Sequence, residues 1–401
     1  MKTILLFAIL AESYIANAQW ISQNPLPQEK KLSSVYFTNA NTGYTVGDSG
    51  VILKTIDAGT SWSALSSGTT NYLGSICFTN LNTGYAVGGT ILKTSDGGSS
   101  WSDISGGMSL SLTSVCFPDA NTGYAGGGSW DFIKTTDAGA SWTYLGPADY
   151  ENGNLSSVYF TNTNIGYRTS GYVNAGTIDK TTDGGLTWFN LLYINVRELF
   201  SVYFVDSDIG YAVGGDFWTE RNSVILKTTN GGADWTTQTL TNSHILRSVF
   251  FADANTGYAV GDSGTILKTS NSGADWTIQN SGTSHNLTSV FFTEANTGYV
   301  VGDFGTILKT TNGGGPLGVN NQTQIINSLS LYPNPVKNVL IINLPTKNGI
   351  LDAFDDTGKS VLHREIPENN STIDVSGLNT GMYLVKVSAD NRIFTGKFLK
   401  Q

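Results

Sequence analysis

The chain has 401 residues, enough for more than one domain, and only 13% of them are charged, about half the usual globular share. Gly, Ser, Thr and Asn fill the gap, which is the composition of a turn-rich all-β protein. A formal net charge of −9 with no basic stripe excludes nucleic acid as a partner, because there is nothing to displace counterions.

The first residues carry an export signal. Lys2 is followed by the apolar run Ile4 to Leu10 and by Ala16-Asn17-Ala18, an A-x-A cleavage site. The run is too short to span a bilayer, and no cysteine follows the site to accept a lipid. A signal peptide over 1–18 would leave Gln19-Trp20 as the new start.

From there one pattern recurs seven times: a hydrophobic run, Gly-Tyr, I-L-K-T, then [TS]-x-[DN]-x-G-x-x-W. The Gly-Tyr pairs begin at Gly43, Gly84, Gly123, Gly166, Gly210, Gly257 and Gly298, 39 to 47 residues apart. Such a period, with short β-type runs between Gly/Asn turns, signals a propeller or solenoid. The sixth copy shows the unit: strands over Leu246 to Phe251, Tyr258 to Gly261 and Thr265 to Thr269, then a fourth carrying Trp276. The seventh copy stops at Gly315-Pro316 without its tryptophan, while Trp20-Ile21-Ser22-Gln23-Asn24 echoes Trp276-Thr277-Ile278-Gln279-Asn280. A ring closes with that swap and an open solenoid has no use for it. The expectation is a seven-bladed β-propeller over 19–315 closed by an N-terminal strand. Trp20, Trp62, Trp101, Trp142, Trp188, Trp235 and Trp276 are in register, one per blade, and are expected to pack the blades. Cys77 and Cys116 share one position on the innermost strands; they are either small buried apolar residues or a bridge between adjacent blades.

The [TS]-x-[DN]-x-G-x-x-W element resembles the Asp-box, or bacterial neuraminidase, repeat. The fuller G-Y-x-V-G-D-x-G-T-I-L-K-T-T-N-G-G pattern is similar to photosystem II assembly factor-like propeller repeats. The resemblance covers about 19–315 and implies the fold. Function stays open, since such propellers serve as sialidases, xyloglucanases, assembly scaffolds and adhesive modules. It also implies that Asp57, Asp96, Asp137, Asp183, Asn230, Asn271 and Asn312 cap a turn and are not catalytic.

After a polar, Asn-rich linker over 316–328, residues 329–401 change character. Alternating apolar positions such as Val339, Ile341, Leu384 and Val387 between turn clusters predict a small immunoglobulin-like β-sandwich. Tyr332-Pro333-Asn334-Pro335, Thr357-Gly358-Lys359, Leu378-Asn379-Thr380-Gly381-Met382-Tyr383-Leu384 and a terminal basic-apolar strand occur in order. Together they resemble the C-terminal sorting domain of the type IX (Por) secretion system. That resemblance implies the secretion machinery as a partner of 329–401, and export that leaves the propeller secreted or on the outer-membrane surface.

Several tempting strings are turns. Gly47-Asp48-Ser49-Gly50, Gly261-Asp262-Ser263-Gly264 and Asp303-Phe304-Gly305 all occupy the hairpin between second and third strands. Asp206-Ser207-Asp208 lies where other copies carry an Asn-rich turn, and no P-loop or H-E-x-x-H occurs. No cofactor and no metal is expected.

The informative residues break the repeat. Copies three to five have enlarged hairpins, with Trp130 and Asp131, then Tyr172, then Phe217, Trp218, Glu220 and Arg221. Blade-joining segments add Tyr150, Tyr193 and Arg197, and Arg168 replaces the small residues of other copies, either bridging to a neighbouring blade or reaching the same surface. Exposed aromatic rings beside charges on one sector suit a sugar or a peptide; alternatively the two tryptophans pack their own loops. The leading expectation is a non-catalytic propeller binding a glycan or protein. The alternative is a glycoside hydrolase of sialidase or xyloglucanase type, with Asp131, Asp149, Glu151, Asp216 and Glu220 as the pool of carboxylates.

Overall fold

A computed structural model of the chain describes residues 20–23, 26–146, 153–172, 175–216, 223–238, 244–315, 327–344, 349–355, 359–368, 370–389 and 392–401. The chain divides into two compact units, 1–317 and 318–401. The signal peptide and most of the linker lie outside the described residues, as do Tyr150, Phe217, Trp218, Glu220 and Arg221 and three of the proposed carboxylates, Asp149, Glu151 and Glu220.

Among the described residues, the first unit holds seven four-stranded antiparallel sheets. Six are built from one copy of the repeat in chain order; the first runs Leu32–Phe37, Gly43–Gly47, Ile52–Thr55 and Ser63–Leu65. In the remaining sheet Ile21–Ser22 pairs antiparallel with Ile307–Thr310, Ile21 facing Lys309. The first strands of successive sheets are stitched by serines. The backbone amides of Ile76, Val115, Val158, Val202, Val249 and Val290 each donate to the hydroxyl of Ser34, Ser75, Ser114, Ser157, Ser201 and Ser248 respectively. Val35 then donates to Ser289 of the last copy, which returns the series to its start.

Every fixed letter of the repeat makes a contact. The tyrosine of each Gly-Tyr stacks on a phenylalanine of the next sheet, as Tyr299 does on Phe37 at 3.9 Å and Tyr44 on Phe78 at 4.3 Å. An edge-on indole closes the other side of that ring: Trp62 on Phe37, Trp101 on Phe78, Trp276 on Phe251. Trp20 takes the same place on Phe292 at 5.8 Å and is fully buried. The glycine before each tyrosine is obligatory, because the phenylalanine of its own sheet covers it; a Cβ at Gly43 would meet the Phe37 ring at 2.5 Å.

Hydrogen bonds lock the same joints. Tyr44 and Lys54 both donate to the carbonyl of Gly97 in the next sheet, at 2.7 and 2.6 Å. Tyr85 with Lys93 do so to Ala138, Tyr167 with Lys180 to Gly231, Tyr211 with Lys227 to Ser272, and Tyr258 with Lys268 to Gly313. Tyr299 and Lys309 close the series on Ala58.

The turn that presents this carbonyl is held by the box residue. Asp57 accepts from the Thr55 hydroxyl and from both the amide and hydroxyl of Ser61. Its carboxyl is lowered to about 2, first by the Ser61 hydroxyl, then by the Ser61 amide and the Thr55 hydroxyl. Asp96, Asp137 and Asp183 are held likewise. In copies five and six donor and acceptor trade places: Asn230 and Asn271 donate to Asp234 and Asp275, which stand where Ser61 stands. Cys77 and Cys116 are free thiols, pushed up by burial, Cys77 well above the usual value and Cys116 to about 11.

The second unit consists, among the described residues, of a five-stranded and a three-stranded sheet. They share a core of Val336, Leu340, Ile342, Leu351, Val385, Val387, Phe394 and Phe398. Asn334 ties the Tyr-Pro-Asn-Pro turn to the last strand, donating to Lys397 and accepting from the Leu399 amide.

Two outcomes test these joints. Trp20→Ala removes a buried indole and is expected to cost about 3–5 kcal/mol in denaturant unfolding. The box aspartates have folded pKa values below their unfolded ones, so the stability they give is full above about pH 4 and is lost as pH falls through about 2. Asp57→Asn is therefore expected to weaken the fold at pH 7, and Asp57→Asn with Ser61→Asp to restore it, read as the shift in melting temperature.

Candidate functional site between the third and fourth sheets

The repeat fails at one joint. Tyr124 of the third copy donates to Thr163 rather than to the box carbonyl, leaving Lys134 alone on Gly184 at 3.1 Å. The cause is Phe132, which stands where the other copies have isoleucine. Its ring lies against Gly185, where a Cβ would meet it at 2.6 Å; at the matching Gly59, Gly98 and Gly139 the neighbour is the tyrosine.

Beside this joint opens a cavity of about 280 Å³, lined by Trp130, Arg168, Thr177, Asp179, Trp188, Asn190 and Tyr193. Arg168 and Asp179 face each other across the second and third strands of the fourth sheet. Their positions are those of Ala86 and Leu92 in the second copy, so a charged pair replaces an apolar one. The Arg168 Nε donates to Asp179 at 2.9 Å, with both side chains almost wholly buried. Asp179 also accepts from Asn190 at 2.8 Å. The guanidinium lies 5.1 Å from the Trp130 ring and 4.4 Å from Trp188, between two indoles.

Trp130 occupies the last position of a 3-10 turn, Gly128–Trp130, with φ at 60°. Gly50, Gly264 and Gly305 fill that position in other copies, at φ 69 to 71°. A bulky residue in the left-handed region stores about 1–3 kcal/mol and persists only where its surroundings hold it. Here the Arg168 face and the core of Tyr124, Phe132, Leu155 and Phe160 hold it.

On the far wall a β-bulge does the aiming. In the strand Phe189–Ile194, Asn190 faces Asp179 and Leu192 faces Ile178, so Leu191 is the extra residue. Strict alternation would put residues 188, 190 and 192 on the cavity side. The extra residue turns Tyr193, opposite Thr177, toward the cavity instead. Tyr193 is 66% exposed and forms the rim.

The structure thus gathers Trp130, Arg168 and Tyr193 but changes their parts. Trp130, expected as an exposed platform, is only 4% exposed, because its turn folds the indole inward. Arg168 pairs with Asp179 of its own sheet and lies against Trp130 of the third copy. Trp188 is both packing and cavity wall. Asp131 points elsewhere, toward the Ser111 amide and Tyr144. Arg197 lies beside the partly buried Glu198, whose carboxyl burial pushes up against the lowering effects of the Ser156 hydroxyl, Arg247 and Arg197. Tyr172 ends the second strand of the fourth sheet, paired with Gly153 and Ala175. Asp179, Thr177 and Asn190 were missed, although the fourth copy's T-I-D-K-T in place of I-L-K-T announces the charged partner of Arg168.

Both ends of the chain match known families. Residues 330–401 match the secretion system C-terminal sorting domain, and residues 13–110 and 237–311 match the photosynthesis system II assembly factor YCF48. The interrupted middle of the second match spans the copies that depart most from the pattern. A tail of this kind implies export through the type IX secretion machinery to the surface or the medium. Among the described residues no helix is long and apolar enough to cross a membrane, and no group of three or more His, Cys, Asp or Glu could hold a metal ion.

The fold is that of solved propellers. YCF48 bound to D1 peptide matches at a TM-score of 0.61 and 18% identity, over 74% of this chain and 98% of that one. The GH74 enzyme of Niastella koreensis matches at 0.60 and 15%, over 93% and 73%. PorZ, a surface component of the type IX secretion system of Porphyromonas gingivalis, matches at 0.53 and 11%, over 90% of this chain and 58% of that one. At these identities the likeness concerns the fold alone. No curated protein matches the chain.

The buried pair has a testable energetic signature. Arg168→Ala alone leaves Asp179 buried without its cation and is expected to cost about 3–5 kcal/mol. Arg168→Ala with Asp179→Leu, which rewrites the apolar pair of the second copy, is expected to be neutral or to stabilise by about 1–4 kcal/mol. Denaturant unfolding of both variants checks this.

Proposed function

We propose that the chain is a secreted or surface-displayed, non-catalytic binding protein, exported by the type IX secretion system, that holds a glycan or protein in the cavity between its third and fourth sheets. In this reading residues 1–18 are removed, 19–315 form a seven-bladed ring shut by the N-terminal strand, 316–328 link, and 329–401 are the immunoglobulin-like sorting domain. The circuit of serine hydrogen bonds and tyrosine–lysine clamps that ends where it began supports the closed ring.

The observation that carries the binding reading is the use made of the one carboxylate that the described residues place in the cavity wall. Asp179 is engaged by Arg168 and Asn190, and the other lining residues among those described are aromatic, hydroxyl, amide or guanidinium groups. Glycoside hydrolysis needs two carboxyl groups about 5–9.5 Å apart across the substrate. The cavity supplies instead an indole–guanidinium–indole wall and an exposed phenol, which suit one flat ring or one side chain. Its volume lies below the range of about 300–1,000 Å³ usual for drug-sized ligands.

A second reading, a secreted glycoside hydrolase, is favoured by one feature away from the cavity. Glu198, raised by burial and flanked by Arg197 and Arg247, has the character of a general acid. The two readings separate on product analysis after incubation with any glycan the protein binds. Tyr193→Ala, at an exposed rim position, is expected to weaken binding about tenfold while shifting the melting temperature by less than about 2 °C; turnover lost with Glu198→Gln would select the hydrolase.

A further inference from the structure

We propose that the outer edge of the strand Phe189–Ile194 is a docking edge for an extended peptide segment of a partner protein, which adds a fifth strand to the fourth sheet and places one side chain in the adjoining cavity. The inference rests on the cavity being a binding site and names what it binds.

The strand stands apart from its counterparts. It has six residues, against two or three in Ser63–Leu65, Ser102–Asp103, Thr143–Tyr144, Thr236–Thr237, Thr277–Gln279 and Ile21–Ser22. It is the last strand of its sheet, so among the described residues the row of N–H and C=O groups on its far side has no ladder partner. Edges are normally blunted by shortness, charge or proline. The other six are short; this one is long, and its sequence, Phe-Asn-Leu-Leu-Tyr-Ile, has neither charge nor proline. Such an edge is a template for strand addition, in which main-chain hydrogen bonds give affinity and pockets for alternate side chains give specificity.

The pocket is already in place. Asn190 and Tyr193 belong both to this strand and to the cavity lining, so an added strand runs along the cavity rim. A volume of about 280 Å³ accommodates one large side chain between Trp188, Trp130 and Tyr193. A glycan could fill the cavity but has no backbone to complete the ladder. A second copy of the chain fits less well. Its net charge of −9 opposes self-association, and antiparallel pairing about the strand centre sets Tyr193 of one copy against Asn190 of the other, with no side chain left for the cavity.

The test uses the full chain with two probe sets. One is a series of end-blocked ten-residue peptides of alternating Thr and Val with a central Phe, Tyr, Trp, Leu or Gln. The other comprises glucose, galactose, N-acetylneuraminic acid and cellotetraose. Binding is read by titration and by amide hydrogen exchange over Phe189–Ile194. The expected result is that a peptide of the series binds and slows exchange in that strand at least about fivefold. Its affinity should then fall about tenfold or more in Phe189→Lys and in Arg168→Ala/Asp179→Leu. If a sugar binds, is lost in Arg168→Ala/Asp179→Leu and leaves strand exchange unchanged, the docking edge is overturned while the cavity remains a binding site. If neither set binds, both fall. A dimer in sedimentation that Phe189→Lys dissolves would make the occupant a second copy and overturn the inference.

Discussion

The structure depends on one joint used repeatedly. A tyrosine and a lysine on one sheet share a turn carbonyl on the next, while the tyrosine ring stacks on a phenylalanine that an indole closes from the side. Each component is modest alone: a net hydrogen bond contributes about 0.5–1.5 kcal/mol, and an aromatic pair about the same beyond its burial. Their value lies in being mutually required. The carbonyl is available only if the box residue holds its turn, and the phenylalanine reaches the tyrosine only because a glycine leaves room beneath it. A single sheet exposes two such half-joints, which explains why each copy needs a neighbour on either side; Tyr299 and Lys309 of the last copy reach Ala58 of the first.

The same dependence explains where the cavity lies. One substitution, Phe132 for isoleucine, takes the glycine contact that belongs to the tyrosine and splits the clamp between Thr163 and Gly184. With the joint loosened there, space and a charged pair enter where the second copy places Ala86 and Leu92. Arg168 and Asp179 enter together, as neither charge is tolerable alone. A buried pair of this kind is seldom retained for stability, since an apolar pair of similar volume serves as well or better, as the Ala86–Leu92 positions illustrate. It occurs in the fourth copy alone, at positions that the second copy fills with Ala86 and Leu92.

Much of this was legible in the sequence because repeats supply their own comparison. Seven near-identical lines exposed the period, the displaced tryptophan and the structural aspartates, and they flagged Arg168 and Trp130 as departures. What the lines could not give was direction. Whether Trp130 points out or in turns on one backbone angle, and only when Gly50, Gly264 and Gly305 are seen at the same left-handed position does the substitution show as strain. The trading of Asp–Ser for Asn–Asp in the later boxes is likewise not visible in either column alone; it is a change of two columns that conserves a side-chain hydrogen bond. Asp179 escaped for the same reason, being meaningful only as the cross-strand partner of Arg168.

Several departures from the repeat sit at the same place. The left-handed Trp130, the buried ion pair, the bulge at Leu191 and the long unblunted edge all fall within one joint and the sheet beside it. A series of near-identical joints accommodates such departures at one of them, because the other joints hold their sheets in position.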